Sequence, residues 1–254
     1  MGRGLDAMGL GGDVARRPAF WGAAAGVIAF TVYHLTTPYG TPFVHYVYLA
    51  DAFLHGRLEL INPPPTLEVA VFGGSPFVIP PPFPALLLLP SVAVAGLAAS
   101  QSLISQVVGA VGAAATALLA ARLVRRPADV FWLGLSGAFG TILWFMSAVG
   151  STWFFAHVVA ATALTLAVLE TVGAARPLRI GAAVAAAYGA RLPAMLTLPF
   201  FLVATSNRWA PGGLRAWRRV DLAFLIRLLG PIALALALNG LYNWLRFDRI
   251  GDVA

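Results

Sequence analysis

Apolar residues run in long stretches through most of this chain, and those stretches set its organisation. Residues 19–36, 100–123, 130–149, 151–174 and 222–245 each offer roughly twenty predominantly apolar positions, the length a helix needs to cross a hydrocarbon layer about 30 Å thick. Two shorter runs, 180–190 and 192–204, meet at Arg191 and Pro193. They read as a hairpin whose small residues, Gly181, Ala182, Ala186 and Gly189 among them, allow close helix approach.

One segment breaks the pattern. Between Pro38 and Ala98 the chain is neither plainly membrane-spanning nor plainly aqueous. It opens with an amphipathic stretch at 43–55, continues through a Pro/Gly-rich passage at 56–82 read as irregular, and closes with an apolar helix at 83–97. In the first helix His45, Tyr48, Asp51 and His55 fall within an arc of about 120° at ~100° per residue, opposite Val44, Val47 and Leu54. That distribution predicts a helix lying along a membrane surface with one wet face. The run Pro80–Pro81–Pro82–Phe83–Pro84 fixes an extended entry into the last helix, because proline locks φ and disfavours helix before it.

Composition agrees with a membrane protein. Of 254 residues, 59% are hydrophobic and 11% charged, against about 25% charged in soluble domains, and mean hydropathy is +0.82. Cysteine is absent, which excludes disulfides, thiolate nucleophiles and cysteine-ligated metals. All 17 basic residues are arginine, and an Ala/Arg-rich, lysine-free chain hints at a GC-rich bacterial genome. The arginines gather at helix ends, so topology rather than nucleic acid explains the basic charge. No cleavage site follows the first apolar run, which is read as a span and not as a signal peptide.

Arginine placement decides how residues 83–97 sit. About fifteen residues span only ~22 Å as helix, short for a bilayer. If this helix lies in the outer interface, only Arg57, Arg191, Arg246 and Arg249 are outside and thirteen arginines are inside. If it crosses, six are inside and eleven outside. The positive-inside rule selects the first arrangement. The fold class expected is therefore an all-α polytopic membrane protein in a plasma membrane. It has a cytoplasmic N-terminal tail (1–18), about seven membrane-crossing helices, and two interfacial helices in an outer loop (37–99).

The loop also holds candidate chemistry. Asp51, Glu59 and Glu68 are its carboxylates. Asp51 on the polar helix face is a candidate acid/base or simply a solvated residue, and Asp51 with His55 supplies two ligands for a divalent metal. His157 stands about one turn into the 151–174 run, as a packing histidine or a site residue. Trp144, Phe145, Trp153, Phe154 and Phe155 suit an interfacial aromatic belt. A charge at Arg191, near the outer side of the membrane interior, is costly unless used. Walker, zinc, dinucleotide and nucleophile-elbow motifs are absent.

Four stretches together carry a resemblance: YVYLADAFLHGRLEL, YGTPF with FVIPPPFPALLLLP, FGTILWFMSAVGSTWFFAHVVAATALTLAVLE, and PLRIGAAVAAAYGARLPAMLTLPFF. Over about residues 19–246 the chain resembles membrane-embedded glycosyltransferases of the GT-C class. The likeness is to the superfamily of dolichyl-phosphate-mannose protein mannosyltransferases and lipid A aminoarabinose transferases. The resemblance implies that the outer-loop helices roof a cavity for a polyprenyl-phosphate sugar, and that a carboxylate of the loop acts in transfer to an unidentified acceptor. Where the family usually places that acid, near the start of the first loop helix, this chain has Pro42, Phe43 and His45. The role therefore passes to Asp51 or Glu68. Arg191 in GARLP matches the family's hairpin base, and Pro81, Pro82 and Pro84 match its Pro-rich entry. His157, His45, His55 and Tyr48 are the further candidates for substrate contact. The family's larger C-terminal part does not follow, so the chain is expected to be the N-terminal part of a longer protein. The alternative is a non-catalytic polytopic protein, such as a flippase or transporter subunit for a lipid-linked sugar, or an inactive truncated member.

Overall fold

The computed structural model describes residues 18–37, 40–210 and 220–251. Most of the expected N-terminal tail, much of the basic linker after Asn207, and Asp252 to Ala254 lie outside them.

About three quarters of the described chain is helical. α1 (Pro18–Leu35) rises to the loop, whose α2 (His45–Leu54), β1 (Val69–Phe72), β2 (Ser75–Val78) and α3 (Phe83–Ala95) follow. Then come α4 (Gln101–Leu123), α5 (Pro127–Phe139), α6 (Leu143–Val149), α7 (Thr152–Val172) and α8 (Pro177–Ala190). A 3₁₀ segment (Leu192–Thr197), α9 (Leu198–Ala204), α10 (Ser206–Trp209) and α11 (Leu222–Phe247) complete the order. Local chemistry marks the boundaries. Ser100 Oγ accepts from the Leu103 amide at 3.1 Å at the start of α4, and Asp221 Oδ1 from the Phe224 amide at 3.0 Å at the start of α11. α5 and α8 begin on Pro127 and Pro177, whose missing N–H would have been unpaired there anyway.

Four helices, α1, α4, α7 and α11, are long and apolar enough to cross a membrane, and the count is five where α5 and α6, bent by 55° between them, are taken as one broken span. This corrects the expectation of seven. α8 has 14 residues, about 21 Å of helix, and Leu192–Ala204 is shorter and partly 3₁₀. The two run up and back as a hairpin whose tip is Arg191. Ile180 and Val184 on one limb share an apolar cluster with Phe201 on the other and with Leu228 of α11.

α4 is the hub, packed against α1, α5, α6 and α7; α7 leads on to α8, and α8 to α11. Small residues make these approaches close. A methyl group on Gly112 would collide with Thr162 of α7, and one on Gly134 with Ala117 of α4. α2 and α3 lie across one end, hereafter the loop end, and pack on each other far more than α3 packs along α4. Ala85, Leu88 and Val92 of α3 join Tyr46 and Leu49 of α2, Phe155 of α7 and Ala187 of α8 in the largest apolar cluster. α3, at thirteen residues, is thus a short crosspiece.

Two expectations for the loop change. The passage at 56–82 contains an antiparallel hairpin, Val69 opposite Val78 and Phe72 opposite Ser75. Gly73 and Gly74 turn it with φ of 59° and 82°, values suited to the two-residue turn that matches strand twist. And α2 is not a surface helix with one wet face: His45, Tyr46, Val47, Leu49, Ala50 and Ala52 are buried. Exposure is greatest in its last turn, Asp51 in part and Leu54 more fully, because α3, α7 and the hairpin cover the rest.

Described arginines separate by end. Arg57, Arg191, Arg246 and Arg249 belong to the loop end, while Arg122, Arg125, Arg126, Arg176, Arg179 and Arg208 lie at the far end and Arg227 stands in the second turn of α11 from that end. At the far end Glu170 pairs with Arg176 and Arg179 at 3.6 and 3.8 Å, and the Arg122 guanidinium donates to the Leu169 carbonyl. These contacts tie the α7–α8 turn to α4.

The α8–α11 seam is the most sensitive to added volume. A methyl group on Gly181 would overlap the Leu228 carbonyl oxygen, whereas one on Gly230 would meet nothing. Gly181→Ala should cost about 1–3 kcal/mol through forced displacement of α11, read as a lower unfolding temperature in detergent. Gly230→Ala should leave that temperature unchanged or raise it; equal effects of the two would refute the packing.

Candidate functional site

The site grows from one backbone oxygen. Phe43 O, just before α2, accepts the Thr152 amide at 3.0 Å, the Thr152 hydroxyl at 2.8 Å and the Gln101 amide at 3.2 Å. Gln101 also donates to Gly150 O at 2.8 Å. The starts of α2, α4 and α7 are thereby fastened at one point. Thr152 Oγ1 reaches back as well, accepting the His45 amide at 3.1 Å and standing 2.8 Å from His45 Nδ1. His45 is 2% exposed, and its ring also meets the backbone of Glu68. Burial holds His45 below its ordinary value, with the Glu68 backbone and carboxylate opposing that shift.

Trp153 follows Thr152 and lies between this knot and a cleft. Its ring is 5.0 Å from Phe43 and 6.0 Å from His45. On its other side it lines a cleft of about 280 Å³ with Ile79, Pro80, Pro81, Arg191 and Pro193. Arg191 caps α8, where its amide donates to Ala187 O at 2.9 Å. No hydrogen bond or ion pair among the described residues engages its guanidinium. His157 is exposed one turn beyond Trp153.

Contacts run in series from the Glu68 backbone to His45 and from the His45 ring to Trp153, which lines the cleft with Arg191; Glu68, His45 and His157 are not part of its wall. Glu68 is exposed, and its carboxylate has no ion-paired partner among the described residues. Asp51 lies elsewhere. It sits about 140° around α2 from Tyr46, paired with His55 at 3.5 Å and Arg57 at 3.6 Å. Tyr48 is half-buried against the apolar cluster, and Glu59 reaches only the Leu58 amide, at 3.3 Å. Asp51 and His55 find no third ligand: among the described residues no group of three or more His, Asp or Glu could hold a metal.

Sequence reasoning passed over Thr152, Gln101 and Arg246. Arg246, 4% exposed, donates to Val78 O at 2.5 Å and to Asn243 Oδ1 at 2.8 Å, and lies over the Tyr242 ring at 3.6 Å. It pins the β-hairpin to the end of α11, where the Phe77 ring also meets Phe247 edge-to-face at 5.5 Å. An arginine three residues past an asparagine on an apolar helix was the one available signal.

Compared with protein-family models, curated proteins and solved structures, the chain matches none.

The lowered His45 value fixes a sign. Below about pH 6.5 the unfolded chain takes up a proton that buried His45 resists, so this group costs stability as pH falls. Unfolding temperatures measured from about pH 7.5 down to 5 should fall less steeply for His45→Gln than for the parent chain. Parallel curves would show that His45 does not contribute.

Proposed function

We propose that the loop-end cleft is the active site of a glycosyltransferase that takes a sugar from a polyprenyl-phosphate donor on the extracytoplasmic face of the membrane. The observation that carries this reading is Arg191: a guanidinium with no carboxylate partner among the described residues, in a cleft walled by an indole ring and prolines. A guanidinium suits phosphate through forked hydrogen bonding, and an indole face suits the apolar face of a sugar ring. Glu68, one histidine away from Trp153, is the carboxylate best situated to serve.

In this mechanism Glu68 accepts the proton of the acceptor hydroxyl as its oxygen attacks the anomeric carbon. The bond from that carbon to the phosphate oxygen breaks, and the departing polyprenyl phosphate gains one negative charge. Arg191 offsets that charge. His45 holds the Glu68 segment, and Trp153 positions the donor. Asp51, already paired with Arg57 and His55, keeps a structural task at the end of α2. The far end, with its excess of arginine, faces the cytoplasm on this reading.

Membranes carrying the full-length protein, given a labelled lipid-linked sugar and a panel of acceptors, test the chemistry. Glu68→Gln should lower transfer by about 10²–10⁴ and Arg191→Ala by about 10²–10³, while Asp51→Asn stays near the parent rate. Full activity in both of the first two variants would sink the assignment; donor binding with no transfer would make the protein a carrier.

The absence of cysteine gives a clean topology test. Thr66→Cys, in the loop, should label from outside with a membrane-impermeant maleimide. Ala174→Cys, in the α7–α8 turn, should label only after the membrane is opened. The reverse pattern would invert the orientation.

A further inference from the structure

A second cleft lies at the far end, where α1, α4 and α5 meet. It encloses about 190 Å³, and its walls include Trp21 of α1, Ala121 of α4, Val124 and Arg125 just after α4, and Pro127 and Val130 of α5. We propose that this cleft seats the phosphate head of an anionic phospholipid.

The three neighbouring arginines differ in what they are doing. Arg122 is committed to the Leu169 carbonyl. Arg126 serves as the residue before α5, its carbonyl accepting the Asp129 and Val130 amides at 3.0 and 3.1 Å, and its side chain does not line the cleft. Arg125 alone of the three lines it, and no hydrogen bond or ion pair among the described residues engages its guanidinium. The cleft also receives the N-terminal turn of α5, whose dipole favours negative charge. Asp129, the acid of that first turn, is exposed and not part of the wall.

The remaining walls choose the ligand class. Indole, proline and aliphatic surface around a single cation suit a group that is anionic at one point and apolar beside it, not a free, fully hydrated anion. The cleft lies at the ends of α1 and α4, two helices able to cross a membrane, where a lipid head stands. Its volume admits a phosphate with its glycerol but not acyl chains, which would run along the exposed faces of the neighbouring helices. Basic pockets between membrane helices hold anionic heads in this way. The site is independent of the cleft at Arg191, at the opposite end.

The experiment uses the full chain purified in a neutral detergent, with binding of phosphatidylglycerol followed by native mass spectrometry and by the rise in unfolding temperature. Phosphatidylglycerol should bind the parent chain and stabilise it, while phosphatidylcholine and inorganic phosphate do neither. Arg125→Gln should weaken phosphatidylglycerol binding about fivefold or more, with Arg126→Gln close to the parent. Ala121→Phe, which fills the cleft and leaves the charge, should also lose binding. Because Arg125 is exposed, its variant should keep the lipid-free unfolding temperature, so its comparison with Arg126→Gln decides even if Ala121→Phe folds poorly. Equal losses at Arg125 and Arg126 would reduce the effect to diffuse surface charge and overturn the proposal. So would equal stabilisation by phosphatidylcholine or by inorganic phosphate alone.

Discussion

The carbonyl oxygen of Phe43 is where the loop becomes part of the bundle. Three donors from two membrane helices converge on it, two from Thr152 and one from Gln101. A short helix such as α2 has too little backbone hydrogen bonding to be stable alone. Anchored at its first turn and covered by α3 and α7, it becomes fixed. The residues leading to the loop-end cleft inherit that fixation: His45 through Thr152, the Glu68 backbone through His45, and Trp153, in the cleft wall, by being the next residue in the chain.

Two arginines at the same end show opposite uses of buried charge. Arg246 is enclosed, and its guanidinium is answered by a carbonyl, an amide oxygen and an aromatic ring. That arrangement spreads the charge over neutral dipoles and fastens the β-hairpin, a structural end. Arg191 is half-buried, and among the described residues no such group answers it. A cation left in that condition costs free energy unless a ligand returns it, which is why the cleft beside Arg191, and not the Arg246 pocket, is read as the site.

The hairpin and the polar face of α2 mark where one-dimensional reading falls short. Val69-Ala70-Val71-Phe72, then Gly73-Gly74, then Ser75-Pro76-Phe77-Val78 is a strand–turn–strand signal, but four-residue strands amid prolines are easily taken for irregular chain. On α2 the periodicity of His45, Tyr48, Asp51 and His55 is real, yet it groups residues with different fates. His45 meets Thr152 in the interior, while Asp51 turns to Arg57. A shared helix face tells which residues point one way, not what stands there.

The chain's own order determined that this is a helical membrane protein, where its interrupting loop lies, and that α3 is shorter than the helices able to cross. Each follows from the length of apolar runs and the position of arginines, which are local quantities. Tertiary structure decided the rest. It reduced seven crossings to four or five, because whether a short apolar run crosses alone or folds back as one limb of a hairpin depends on its neighbours. It set Glu68 beside His45 and left Asp51 apart, because a site is made by side chains far apart in sequence meeting across α2, α7 and α8, and only packing fixes those distances.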